Sequence, residues 1–148
     1  MRIKDASSLR DLERNTKNKS PLLHGATSLF ATEFSQQQAE INSYEQEIED
    51  LRKEIDQAGD KLQKEPTLSN FKSFRDQLSK LAKRISNEAY HLNKIGGTPQ
   101  NPRYFEIITI INAEADRLYN LIIKENKDHL AITAKVIGIK GMVVDLIT

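Results

Sequence analysis

The sequence predicts an all-α protein, an up-and-down antiparallel bundle of long helices. Three observations carry that expectation. Apolar residues recur at helical spacing in three long segments. The clearest breaks between those segments contain proline or glycine. With 29% charged residues, 6% aromatics, no tryptophan and six glycines in 148 residues, the composition suits long exposed helices better than a sandwich or barrel.

Residues 1–27 are polar, contain Pro21 and Gly25, and lack a sustained apolar period. They are expected to form a flexible arm, with a short helix around Ser8 to Arg14, ahead of one helical-bundle domain over 28–148. From about Ser28, the residues Phe34, Ile41, Tyr44, Ile48, Leu51, Ile55, Ala58 and Leu62 alternate spacings of three and four after a first step of seven. That is a heptad seam. The helix must end near Lys64, because Pro66 disfavours helical geometry at Glu65. A second helix is expected from about Thr67 to Leu92, with Phe71, Phe74, Leu78, Leu81, Ile85 and Leu92 on one stripe.

The stretch KIGGTPQNPR then breaks the pattern. Asn101 as N-cap and Pro102 at the first helical position would start the next helix. Its stripe is Tyr104, Ile108, Ile111, Ala115, Leu118 and Ile122. The polar run Lys124 to His129 interrupts that stripe. Continuity would give a helix of about 45 residues, roughly 68 Å, whose second half would outrun its neighbour. A turn near Asn126 to Asp128, with Asp128 as N-cap, closes a four-helix bundle instead. Burial favours four helices. A three-helix arrangement with one very long C-terminal helix, completed in a dimer, is the alternative.

Charge is unevenly distributed. Residues 29–65 carry ten acids and four bases, a net of −6, whereas 66–94 carry six bases and two acids, a net of +4. Neighbouring helices of opposite sign attract and fix register. The basic residues of the second helix, Lys72, Arg75, Lys80, Lys83 and Arg84, are therefore expected to be neutralised mainly within the chain. A nucleic-acid stripe would call for interleaved aromatics, which the outer face lacks. The overall charge of +1 supplies no general field for anionic partners.

Catalytic and metal chemistry find little footing. There is no cysteine, which removes thiolate nucleophiles and thiolate-ligated metals. His24, His91 and His129 lie in three different segments. Glu88 and His91 match the Glu-x-x-His spacing of bundle metal sites, but no second such pair exists. Gly96-Gly97 lacks the rest of a phosphate-binding loop. Arg103, at the start of the third helix, is placed to meet an anion there, although such arginines more often cover the surface. No enzyme activity, cofactor or metal is expected. The N-terminus has no apolar core of a secretory signal, and the apolar tail is too short to span a bilayer. A cytoplasmic protein without membrane attachment is expected.

The tail, Ile137 to Thr148, is the most apolar stretch. At 100° per residue, Ile132, Val136, Ile139, Val143 and Leu146 share one face, and Leu130, Ile137 and Val144 another. Between them runs a stripe of Ala131, Ala134, Gly138, Gly141 and Asp145. Each glycine inside a helix costs about 1 kcal/mol relative to alanine, and close approach of another helix would offset that. Asp145, an acid in the last turn, opposes the helix dipole and calls for a basic partner, from the second helix or another subunit. Gly138, Gly141, Met142 and Asp145 are the candidate helix-packing or partner interface. Lys80, Lys83, Arg84 and Arg103 form a weaker basic candidate.

The ending Ile139-Lys140-Gly141-Met142-Val143-Val144-Asp145-Leu146-Ile147-Thr148 resembles the carboxy-terminal signature of the YaaR-like family of small bacterial proteins of unknown function. The similarity extends back through Arg103 and the Ile107-to-Leu121 stripe, and more weakly to the Phe71–Ala89 helix. Ile147 stands where that family often has tyrosine, and Gly138 where an acidic residue is expected. The resemblance implies an all-helical protein and supplies no activity, substrate or cofactor. Two functions follow as expectations. The first is a non-catalytic interaction or scaffold protein that pairs with itself or another helical protein through its C-terminal helix. The second is a small regulatory module that binds a nucleotide or nucleic acid through the basic second helix.

Overall fold

In the computed structural model, the backbone is described from Pro21 to Thr148 and side chains from Leu29 onward. The expected short helix around Ser8 to Arg14 lies outside the described residues. Four helices follow in order: α1 Pro21–Lys64, α2 Leu68–Lys94, α3 Tyr104–Ile122 and α4 His129–Ile147. The chain divides into two compact units after Tyr44. The second unit, Glu45–Thr148, is an all-α four-helix bundle in which α3 packs most extensively on α4 and α2 packs on α3.

The breaks have local causes. α1 ends at Lys64, ahead of Pro66, and Thr67 caps α2 by accepting from the Asn70 N–H at 3.2 Å. The Asn70 amide, buried, donates back to the Glu65 carbonyl at 2.8 Å and ties the turn together. α2 closes on Gly96, whose φ of 83° is the left-handed conformation glycine adopts without penalty. The Gly97 N–H meets the Leu92 carbonyl at 2.7 Å. Residues 123–128 bend the chain out of helix between α3 and α4, and Asp128 caps α4 through the Ala131 N–H at 3.1 Å. One long C-terminal helix is thereby replaced by two helices of 19 residues each.

Two boundaries differ from the sequence reading. α1 begins at Pro21 rather than near Ser28. Proline lacks an N–H and has φ fixed near the helical value, so it is well suited to a first helical position. The N-cap of α3 is Arg103 rather than Asn101. The Asn101 side-chain oxygen accepts from the Arg103 N–H at 2.9 Å. Its amide donates to the carbonyls of Asp145 and Leu146 at 3.0 and 3.3 Å. These are terminal carbonyls of α4 that lack an intrahelical partner.

The bundle core contains Phe71, Phe74, Leu78, Leu81, Ile85, Ala89, Ile111, Ala115, Leu118 and Ile122 from α2 and α3, with the inner face of α4. From α1 it takes Ile48, Ile55 and Leu62. The heptad seam is thus buried only in its C-terminal part. Gly59 lies beside it and marks a close approach. A Cβ there would stand 2.6 Å from Lys140 Cε, 3.1 Å from Phe74 Cε1 and 3.1 Å from Val136 Cγ1. The absent side chain lets α1 meet α2 and α4 together.

Candidate functional site: the outer face of α4

Ile132, Val136, Ile139, Val143 and Leu146, at spacings of four and three, are buried. On the other side Leu130, Ile137 and Val144, one heptad apart, are 83%, 57% and 50% exposed. Ala134, Gly138 and Gly141 are exposed beside them, and Met142 is half-buried at the edge. A Cβ added to Gly138 or Gly141 would meet nothing within 4 Å. The groove is therefore not filled by any described part of the same chain.

The electrostatics leave this face nearly uncharged. Lys135 Nζ donates to Glu114 Oε1 on α3 at 2.7 Å. Lys140 Nζ reaches Asp60 at 2.6 Å and Asp56 at 3.1 Å on α1. Burial pulls the Lys140 pKa down, but the hydrogen bonds and charge of Asp60 and Asp56 outweigh it and leave it raised. The Lys135 hydrogen bond holds Glu114 below the usual carboxylate range, against desolvation, with Arg117 assisting. Both lysines of α4 are thus committed to neighbouring helices. Asp145 is the remaining charge on the exposed side. The cation that feels it is Arg103, from the start of α3 rather than from α2. Arg103 has a raised pKa, chiefly from its hydrogen bond to Glu106, with Asp145 adding in the same direction.

The basic candidates do not converge. Lys80 and Lys83 are exposed on α2. Arg84 pairs with Glu47 of α1 at 3.2 Å and with Glu88 at 3.3 Å. Arg103 pairs with Glu106 one turn along its own helix at 2.6 Å. Lys80 lies 14 residues before Lys94, so about 21 Å of helix separates it from the loop that leads to Arg103. Arg84 meets the acidic helix as the charge asymmetry suggests, whereas Arg75 pairs with Asp116 of α3 at 2.6 Å. Glu88, half of the Glu-x-x-His pair, faces Arg84, and His91 is exposed. Among the described residues, no three His, Asp or Glu side chains gather to hold a metal ion. No described helix is long and apolar enough to cross a membrane.

Sequence reasoning passed over Gly59 and gave Asn101 a different task. A glycine inside an otherwise regular heptad run was the available signal for the first. Nothing local announced that the Asn101 amide would reach the far end of α4.

A charge-rich four-helix bundle with one apolar helix face left open defines a class of protein rather than a chemistry. Within that class, residues 3–147 match a family described as protein of unknown function (DUF327), and the chain belongs to it. The YaaR-like resemblance of the tail is consistent with that membership. No curated protein matches. Among solved structures, the uncharacterized protein BH1478 from Bacillus halodurans is similar, with a TM-score of 0.64 and 17% identity. The match covers 79% of this chain and 97% of that one. At that identity the likeness speaks to the fold.

Proposed function

We propose that this protein is a non-catalytic helical interaction module whose contact surface is the outer face of α4. The observation that carries the reading is the open groove. Leu130, Ile137 and Val144 stay exposed beside two glycines that no described residue approaches. Exposed apolar stripes cost solubility, and contiguous ones mark association surfaces. Glycine in a helix costs stability, and the return is close backbone approach by a partner helix. The basic-helix alternative has weaker support, since Arg84 and Arg103 already face carboxylates.

Affinity capture from the source cells tests this by comparing wild type with Gly141→Leu. The added side chain projects into open space, so the fold is retained while the groove is blocked. Loss of the captured partner supports the reading. An unchanged partner set with unchanged stability removes the groove as an interface, and salt-sensitive retention on DNA, RNA or nucleotide resin would favour the alternative.

A further inference from the structure

The open face of α4 is complementary to itself. At 100° per residue Gly141, Ala134, Leu130, Ile137 and Val144 fall within about 80° of one another, opposite the buried residues of the same helix. Leu130 and Val144 stand seven residues either side of Ile137, and all three are at least half exposed. A two-fold rotation about an axis beside Ile137 therefore returns the stripe to itself. Ile137 meets Ile137 of a second copy, Leu130 meets Val144, and Ala134 comes level with Gly141 to within one residue. The small residues let the two backbones close up where the large ones interlock. Neither copy has to enter the other's bundle. The residues that seal the core, Ile132, Val136, Ile139, Val143 and Leu146, lie on the far side of the helix.

Charge selects the partner and its direction. Lys135 and Lys140 are held by Glu114 and by Asp60 and Asp56, which leaves Asp145 as the charge on the exposed side. It lies in the last turn, where the carbonyl end of the dipole disfavours an acid. Arg103, the cation that feels it, is bonded to Glu106. A parallel copy would set Asp145 against Asp145. Asp145 lies eight residues after Ile137 and His129 eight before it. The two-fold arrangement therefore brings each Asp145 level with the first turn of the other α4, where the dipole favours an acid. The chain leading into that turn carries Lys124 and Lys127 against Glu125 and Asp128, and the Asp128 carboxylate is engaged by the Ala131 N–H at 3.1 Å. Two lysines thus answer Asp145 against Glu125 alone. An unrelated helix would have to supply this pattern by chance, whereas a second copy carries it at the matching distance from its own Ile137.

We propose that the occupant of the α4 groove is a second copy of this chain, paired antiparallel across a two-fold axis at Ile137. The inference rests on the reading of α4 as the contact surface and names its partner. Light scattering after size-exclusion chromatography of the full chain, over a concentration series, tests it. Wild type should run at twice the chain mass, and Gly141→Leu at the single-chain mass with unchanged helicity by circular dichroism. Ile137→Glu is the second variant, should Gly141→Leu lose helicity. Asp145→Lys should raise the dissociation constant of the dimer several-fold at low salt and less at high salt. The chain has no cysteine, so introduced thiols report the direction of pairing. Under mild oxidation a mixture of Leu130→Cys and Val144→Cys chains should cross-link, and neither variant should do so alone. Cross-linking of either variant alone would indicate a parallel pair and overturn the proposal. So would a dimer that survives both Gly141→Leu and Ile137→Glu, or an Asp145→Lys dimer as tight as wild type. A monomeric wild type also overturns it, yet leaves the contact-surface reading standing where Gly141→Leu still loses a different protein in affinity capture.

Discussion

Gly59, Gly138 and Gly141 all lie within helices, yet they answer to opposite forces. At Gly59 a methyl group collides with Lys140 Cε, which Asp56 and Asp60 hold in place, and presses on Phe74 and Val136. Overpacking of this kind costs about 1–3 kcal/mol, against a helix-propensity gain of about 1 kcal/mol. Gly59→Ala should therefore lower the free energy of unfolding in urea by at most about 2 kcal/mol, and should not raise it as Gly138→Ala does. At Gly138 the same methyl group meets open space, so Gly138→Ala should raise it by about 0.5–1 kcal/mol. If Gly138→Ala proves destabilising, the outer face of α4 is already covered within the folded chain. The sequence marked Gly138 and Gly141 because they interrupt an apolar tail. For Gly59 the signal is a glycine inside a regular heptad run, but only three-dimensional packing shows three side chains converging on it.

Among the helices, the turn between α3 and α4 shows local chemistry and burial agreeing. None of the residues 124–128 is a helix breaker, yet Asp128 supplies a cap and the apolar face of α4 gains a core. Asp128→Ala should cost about 1 kcal/mol in urea unfolding, with an unchanged helix content. An unaltered midpoint would mean that burial alone sets the turn. Helix breaks were legible for this reason, since proline, glycine and capping residues act over one or two positions. Helix starts were less so. Pro21 reads as a breaker and serves as a first residue. Asn101 reads as an N-cap but spends its amide on carbonyls 44 and 45 residues away.

The ion pair that joins α3 to α4 carries a pH signature. Glu114, 15% exposed, accepts from Lys135 and pairs with Arg117. Its folded pKa is lowered, so its contribution is present above the ordinary glutamate value and is lost as pH falls through the lowered one. Wild type should lose more stability than Glu114→Gln between neutral and strongly acidic pH. Parallel acid titrations of the two by circular dichroism would contradict this.

Across the whole molecule, apolar helix faces divide into those that are sealed and those that are open. The apolar periods of α2, α3 and the inner face of α4 were legible in the sequence and became the core. The heptad seam of α1 was legible as a seam, but the sequence could not show that its cover ends near Tyr44. Periodicity reports which residues want a partner and is silent on whether the chain provides one. The same limit applied to the tail, where two apolar faces were evident and only the structure distinguished the occupied one from the vacant one. Site-specific photo-cross-linking probes that vacancy most directly, with a benzophenone side chain placed at Ile137 in the source cells and, for comparison, at the exposed Ser79 on α2. The expected result is a discrete adduct from Ile137 that disappears when Gly141→Leu is added, and none from Ser79. Absence of an adduct at Ile137, or one indifferent to Gly141→Leu, would contradict it.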